Sequence, residues 1–416
     1  MNVGRTVQEI FGSVPDEDVL RKHPVEKTVL RTNLHIHLPP NFGSITSVED
    51  AISKAGAEEI AVLGACNYYD HTIYTSFAHA AVKAGIAPVF GIEILTMDEK
   101  LRDAGILIND PKNPGKWYLC GKGLTCFDQI PEASLSIWNK IREGDKQRIE
   151  EMIARVNAIE PLKSRGIQLH YQEIAQSIAT DKQVPLATVF LQERHIAQAL
   201  QHVIFEKVPE TEREKFFQQV YQTEDPVELQ NLVNIQDELR NSLLKQGRVA
   251  YVEERFVSPE EAADLILGLG GYVSCPILID GAPQILPGEG TPEELTTKLL
   301  ARQISAAEFI PTRNNIDVLT RYVKALRSHG IVVGAGTEHN AATWIPLLPY
   351  CRNRVPLDDE LTRIFWEGAC VAIAHQYLRA KGKEGFRFLP ELTAREAQIQ
   401  AMSDLGARVI GLLRKP

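Results

Sequence analysis

The sequence has no run of 18 consecutive apolar residues, so nothing in it reads as a membrane-spanning helix. Its opening, MNVGRTVQEIFGSVPDEDV, lacks the apolar core with a basic flank that marks a secretory signal. The cysteines (Cys66, Cys120, Cys126, Cys275, Cys351 and Cys370) are scattered with no C-x-x-C pair. That argues against a structural zinc knuckle and fits a reducing, cytoplasmic compartment. Basic residues are outnumbered, 45 Lys and Arg against 54 Asp and Glu, for a net charge of −9. Such a balance argues against a broad nucleic-acid or anionic-membrane surface, while leaving room for a local pocket that takes a small anionic substrate. No internal period is visible. What remains is ordinary for a globular chain, 44% hydrophobic and 24% charged over 416 residues, enough for a large core. One domain with an insertion fits that length as well as two domains.

The stretch that organises the rest is Asn33-Leu34-His35-Ile36-His37, which follows Thr28-Val29-Leu30-Arg31-Thr32. On a strand, the period of two puts His35 and His37 on one face, about 6–7 Å apart. Two imidazoles so placed can converge on one ion, or can be a hydrogen-bonded pair. Downstream, further strand-like runs also end in potential ligands. These are Glu59–Leu63, Val89–Ile94, Lys116–Gly121, Tyr272–Pro276, Ala306–Ile310 and Ile331–Gly334. Glu93 stands out as an acid inside an apolar run.

Helical patterns separate most of these runs. Thr46 with Glu49 reads as a capping box, as do Ser258 with Glu261 and Thr393 with Glu396. From 134 to 247 the alternation stops and the pattern is helical throughout. Within it, Asp225-Pro226 reads as a helix start, with Leu229, Leu232, Val233, Leu239 and Leu243 on one face. The expected organisation is a discontinuous barrel of 1–133 and 248–380, a helical insertion of 134–247, and a C-terminal helix in 381–416. That helix would dock through Ile399, Met402, Leu405, Val409 and Leu412.

Seven strands with intervening helices predict a parallel, barrel-like α/β fold, with its site at the carboxyl ends of the strands. His35, His37, Glu93, Cys275, Arg313, Glu338 and His339 all fall at such ends. Glu93 and Glu338 read as carboxylate ligands or as salt-bridge partners. Cys275 is a thiolate ligand that would favour zinc, or a small buried hydrophobe. Arg313 is an anion clamp by its planar fork, with Lys122 and Asn314 beside it, or an ion-pair partner of the nearby acids. His339 is a ligand, a general acid or a hydrogen-bond partner of Glu338. Asp70 and His71, in a loop rich in tyrosine, are further substrate-binding candidates.

The ordered set His35-Ile36-His37, then Gly91-Ile92-Glu93, resembles the PHP (polymerase and histidinol phosphatase) superfamily of metal-dependent phosphoesterases. That resemblance implies a distorted (β/α)7 barrel and a centre of Zn, Mn or Fe held by mixed histidine and carboxylate ligands. Arg194–Leu200 also resembles an R-x-HIA-x-AL run of some branches. Departures are several. Asn33 stands where an acid is usual, and Gly64–Asn67 replaces the second-strand Thr-Asp-His, with Asp70-His71 displaced. Tyr118 stands for the fourth-strand histidine, Cys275-Pro276 for His-Pro, and Glu338-His339-Asn340 for the closing Asp-x-His. About half of a trinuclear ligand set is kept, which points to one or two ions rather than three. Three functions stay open on these residues. They are a metal-dependent hydrolase of a small phosphorylated metabolite or nucleotide, a single-metal lyase, isomerase or amidohydrolase, and a ligand-binding protein without catalysis.

Overall fold

In the computed structural model, which describes residues 3–22 and 28–414, seven strands form one sheet in sequence order and nearly close into a barrel. They are β1 (Arg31–Ile36), β2 (Ile60–Asn67), β3 (Ala87–Met97), β4 (Lys116–Lys122), β5 (Tyr272–Ile277), β6 (Ala306–Phe309) and β7 (Val332–Ala335). Closure is made just past β7, where the Thr337 and Glu338 amides donate to the His35 carbonyl and the His37 amide donates to that of Glu338. The architecture is thus the expected α/β barrel, a mixed sheet with helices around it.

One strand departs from the all-parallel expectation. β4 runs antiparallel to both neighbours. A parallel connection needs a crossover, usually a substantial helix. Between β3 and β4 the chain offers only the five-residue helix Glu99–Asp103, so it returns directly. The consequence reaches the site. The amino end of β4, at Tyr118, pairs with Leu95 near the carboxyl end of β3, whereas Lys122 pairs with Gly91, deeper in the barrel.

Helix termini follow local chemistry. Ser258 and Thr291 each form a capping box, with Glu261 and Glu294, and open helices at Pro259 and Pro292. The first of the expected boxes is shifted by one residue: Ser47, not Thr46, caps Val48–Ala57 by accepting from the Asp50 amide. The last helix, Leu392–Leu413, starts after Glu391 without a side-chain cap. It packs on the 22-residue helix Asp359–Ala380, which in turn lies on β1, β3 and β7. At their contact Gly406 lets the backbones touch, since a Cβ there would meet the Cys370 carbonyl oxygen at 1.9 Å.

Buried in Asp359–Ala380, His375 uses both ring nitrogens. Nε2–H donates to the Gly270 carbonyl at 2.8 Å, and Nδ1 accepts from the Phe386 amide at 2.9 Å. Burial lowers its pKa to about 4, and protonation would leave the Phe386 amide without its acceptor. The unfolded chain takes this proton below about pH 6.5, and the folded chain refuses it until about pH 4. Stability is therefore full above the window and falls as pH drops through it. Between pH 7 and pH 5 the loss should be about 2 kcal/mol at 1.36 kcal/mol per pKa unit. Urea unfolding at the two pH values checks this, with a smaller difference expected in His375→Asn.

The chain divides into two units, one of residues 1–38, 45–138 and 257–416, the other of 39–44 and 139–256. The second is helical among the described residues and has its own core, including Met152, Val156, Leu200, Ile204, Phe217 and Leu239. Here the helix expected from Pro226 starts only at Leu232, capped by Asn231. Leu232 and Val233 face solvent, and Ile235 and Leu239 are the buried positions. No helix among the described residues is long and apolar enough to cross a membrane.

Candidate metal centre

β1 carries His35 to the barrel interior, and His37 lies one residue past the strand end, on the same side. Their rings are 5.1 Å apart, edge to face. On β3, Glu93 points at both. Its Oε2 lies 3.3 Å from His37 Nε2 and 3.6 Å from His35 Nε2, and these three atoms make no hydrogen bond. All three residues are buried, and one donor atom from each falls within 4.8 Å of the others. Burial by itself would raise the Glu93 pKa, but the adjoining His35 and His37 hold it well below the usual carboxylate range. Tyr68, just past β2, stacks on the His37 ring at 5.0 Å. Burial, with Glu93 nearby, pushes its phenol pKa well up, so the hydroxyl stays protonated.

Beneath this group a second set of polar side chains is packed and buried. His35 Nδ1 is 3.0 Å from Glu308 Oε1, on β6. Lys122 Nζ lies 2.7 Å from Glu308 Oε2 and donates to the Leu34 carbonyl at 3.0 Å and to Cys66 Sγ at 3.5 Å. Cys66, on β2, and Cys120, on β4, form a third ligand-type group with His35, again within 4.8 Å. Burial would discharge Lys122, yet the Cys66 and Glu308 charges keep its pKa above the ordinary ammonium value. Burial opposes ionisation of Glu308 too, and Lys122 and His35 overcome it, bringing the carboxyl to about 2.

Above the group lies a cleft of about 410 Å³ lined by Tyr68, Glu93, Asp110, Tyr118, Arg313 and Glu338, among others. Arg313 is in this cleft, as its position after β6 suggests. Its Nη1 donates to Glu338 Oε1 at 3.0 Å, and Nη2 pairs with Oε2 in a two-point fork. Asn340 donates to the same carboxylate at 2.7 Å. Glu338 is thus engaged by Arg313 and is not grouped with His35, His37 and Glu93. Glu338 and His339 both hold positive φ, 61° each, rare for residues with a side chain and costly in backbone energy.

Several of the other sequence candidates are placed elsewhere. Cys275 lies on the outer face of β5, where Trp117 Nε1 donates to its sulfur at 3.4 Å, beside an apolar cavity of about 200 Å³. Burial pushes its thiol up to about 12, the behaviour of a small core residue and not of a ligand. The period of two explains this: Glu308 faces in, so Ala307 and its partner Cys275 face out. Lys122 is 3% exposed and tied to Glu308, because antiparallel β4 sends its carboxyl end away from the mouth. Asn314 donates to the Leu278 carbonyl and to Asp280, both at 2.9 Å, and so braces a loop. His339 bonds Thr337 Oγ1 and the Ile345 carbonyl, and burial lowers its pKa to about 4. Asp70 accepts from the Thr72 amide, and His71 packs between Tyr74 and Trp138. His195 is a buried helix-capping residue in the second unit.

Sequence reasoning missed Glu308, Cys66 and Cys120, and placed Tyr68 in a tyrosine-rich loop that stacks or packs without tying it to His37. Glu308 carried the same signal as Glu93, an acid in an apolar run (Ala306-Ala307-Glu308-Phe309-Ile310). The two thiols carried none, since strand cysteines read as core.

No family model matches the chain, and no curated protein matches it. Solved structures do. One, a candidate metal-dependent phosphoesterase from Bifidobacterium adolescentis, is similar at 15% identity and a TM-score of 0.53, over 82% of this chain and 96% of that one. Another, an amidohydrolase from Chromobacterium violaceum with bound sulfate and no metal, gives 17% identity and a TM-score of 0.47, over 77% of this chain and 93% of that one. The first likeness supports the barrel fold.

Proposed function

We propose that this chain is a metal-dependent hydrolase that holds one divalent transition-metal ion, Zn, Mn or Fe, through His35, His37 and Glu93. The observation that carries the reading is the convergence of three buried donor atoms: Glu93 Oε2 lies 3.3 Å from His37 Nε2 and 3.6 Å from His35 Nε2, and none of the three makes a hydrogen bond. Buried polar atoms left without partners are costly, and an ion held among them would satisfy all three. The donor set of two imidazoles and one carboxylate suits such an ion and leaves coordination positions open for water and substrate. A bound ion of this type lowers the pKa of its water and polarises an oxygen of the substrate.

The protein's own groups then have defined work. Glu308 fixes the His35 tautomer. Tyr68 stacks on the His37 ring and keeps a protonated hydroxyl beside Glu93. Arg313, held in place by Glu338, has five N–H donors of which Glu338 takes two, leaving others for an anionic oxygen. The favoured substrate is a small phosphorylated metabolite or nucleotide. Arg313→Lys should keep fold and metal but weaken use of a phosphate monoester by about 1.5–3 kcal/mol, roughly 10–150-fold in kcat/KM. Chelator-sensitive phosphate release from a panel of monoesters tests the reading directly, and phosphate release from none of them would remove it.

One observation favours a second reading, hydrolysis of a neutral amide. The Arg313 charge is already met by Glu338 and the Lys122 charge by Glu308, which leaves less positive potential for a phosphate dianion. Chelator-sensitive amide cleavage with no phosphate release is the result that would prefer it.

A further inference from the structure

Behind the His35, His37 and Glu93 group lies a second convergence of ligand-type side chains, and it has an occupant. Cys66 and Cys120 come from strands that flank β3, where Cys66 pairs with Gly91 and Cys120 with Glu93 two residues on. A Cβ at Gly91 would stand 3.1 Å from Cys66 Sγ and 2.8 Å from the Gly121 carbonyl, so glycine keeps this space open. With His35 they converge within 4.8 Å. His35 gives Nδ1–H to Glu308 and Nε2 to the first ion, so the donors left here are the two thiols with the Glu308 carboxylate beside them, a set that suits a zinc-type ion. Yet the Lys122 ammonium already points into the set, 3.5 Å from Cys66 Sγ and 2.7 Å from Glu308 Oε2. A metal ion bonded to Cys66 would lie within a few ångströms of that fixed positive charge in a dry interior, where like charges repel strongly.

We infer that Lys122 is a resident cation that closes the pocket of Cys66 and Cys120, beside Glu308, to a second metal ion and so holds the centre to one ion. The inference rests on the metal reading proposed above for its first ion, but the pocket and its lysine are independent of that ion. The charge balance supports it. Lys122 satisfies Glu308 and Cys66 at once and frees Glu308 Oε1 to bind His35 Nδ1. A lysine here therefore does two jobs: it replaces a second ion and indirectly positions His35.

The test is cobalt(II) titration of the full chain, followed by absorption, with metal content measured after gel filtration. Lys122→Met removes the charge at similar length. Because that change leaves Glu308 facing only His35, Lys122→Gln, whose uncharged amide can still donate to the Glu308 carboxylate, carries the test if Lys122→Met does not fold. Wild type should take one equivalent and show no thiolate-to-cobalt charge-transfer band in the near ultraviolet. The variant should take one equivalent more than wild type, with that band, and adding Cys66→Ala should abolish both gains. A folded variant with no added equivalent and no band would overturn the inference, as would wild type already showing the band. The two readings separate cleanly: the equivalent without a thiolate band, removed by His37→Ala, reports the first site, and the thiolate band alone reports Lys122.

Discussion

Replacing His37 by alanine should strip the protein of metal. Purified wild type is expected to carry close to one equivalent of transition metal per chain, and His37→Ala less than about a tenth of that under the same dialysis, because one of three protein ligands is gone. Loss of a group that merely orients a ligand typically weakens metal affinity by about 10–100-fold, and loss of a ligand itself should exceed that. Glu308→Gln provides the graded comparison. It keeps an acceptor for His35 Nδ1–H but removes the charge, so its metal affinity should fall within that range. Elemental analysis of the three proteins, with circular dichroism to confirm folding, checks the order. His37 faces Glu93 and Tyr68 and has no ring hydrogen bond of its own, so its removal disturbs little of the structure directly.

The second large effect concerns stability. Lys122 and Glu308 are both buried and 2.7 Å apart in the barrel. Removing one partner leaves a charge without its counter-ion in a medium that cannot solvate it, which costs about 3–5 kcal/mol. Lys122→Met should lose that much in urea unfolding at pH 7. Lys122→Met/Glu308→Gln should recover most of it, because a neutral pair of similar volume in place of a buried ion pair is often close to neutral. Equal losses in single and double variants would mean that the lysine stem, not its charge, is what the core requires.

The sequence showed the barrel because most strands are short, largely apolar runs separated by helical patterns, and those signals are local. It also singled out His35, His37 and Glu93, which the structure brings together, since alternation on one strand and an acid in an apolar run need no knowledge of neighbours. What was hidden depended on direction and on pairing. The reversed β4 turned Lys122 from a mouth residue into a buried one, and nothing in Lys116–Lys122 itself encodes which way the strand runs. Cys275 reads as a strand-end ligand until the register with Ala307 puts it on the outer face. Arg313 and Glu338 were both placed at the mouth, but their mutual fork is a matter of a few ångströms that spacing cannot resolve. The helix Asp359–Ala380 went unread because it is buried nearly all round and lacks an amphipathic stripe.

The central claim is that His35, His37 and Glu93 hold a metal ion, and anomalous diffraction tests it most directly. Crystals of the full chain grown with zinc or manganese, with data collected on both sides of that metal's absorption edge, should show one peak. It should lie between His35 Nε2, His37 Nε2 and a Glu93 oxygen. Anomalous maps with no peak among those three side chains, at a metal concentration that saturates the protein in solution, would contradict the account.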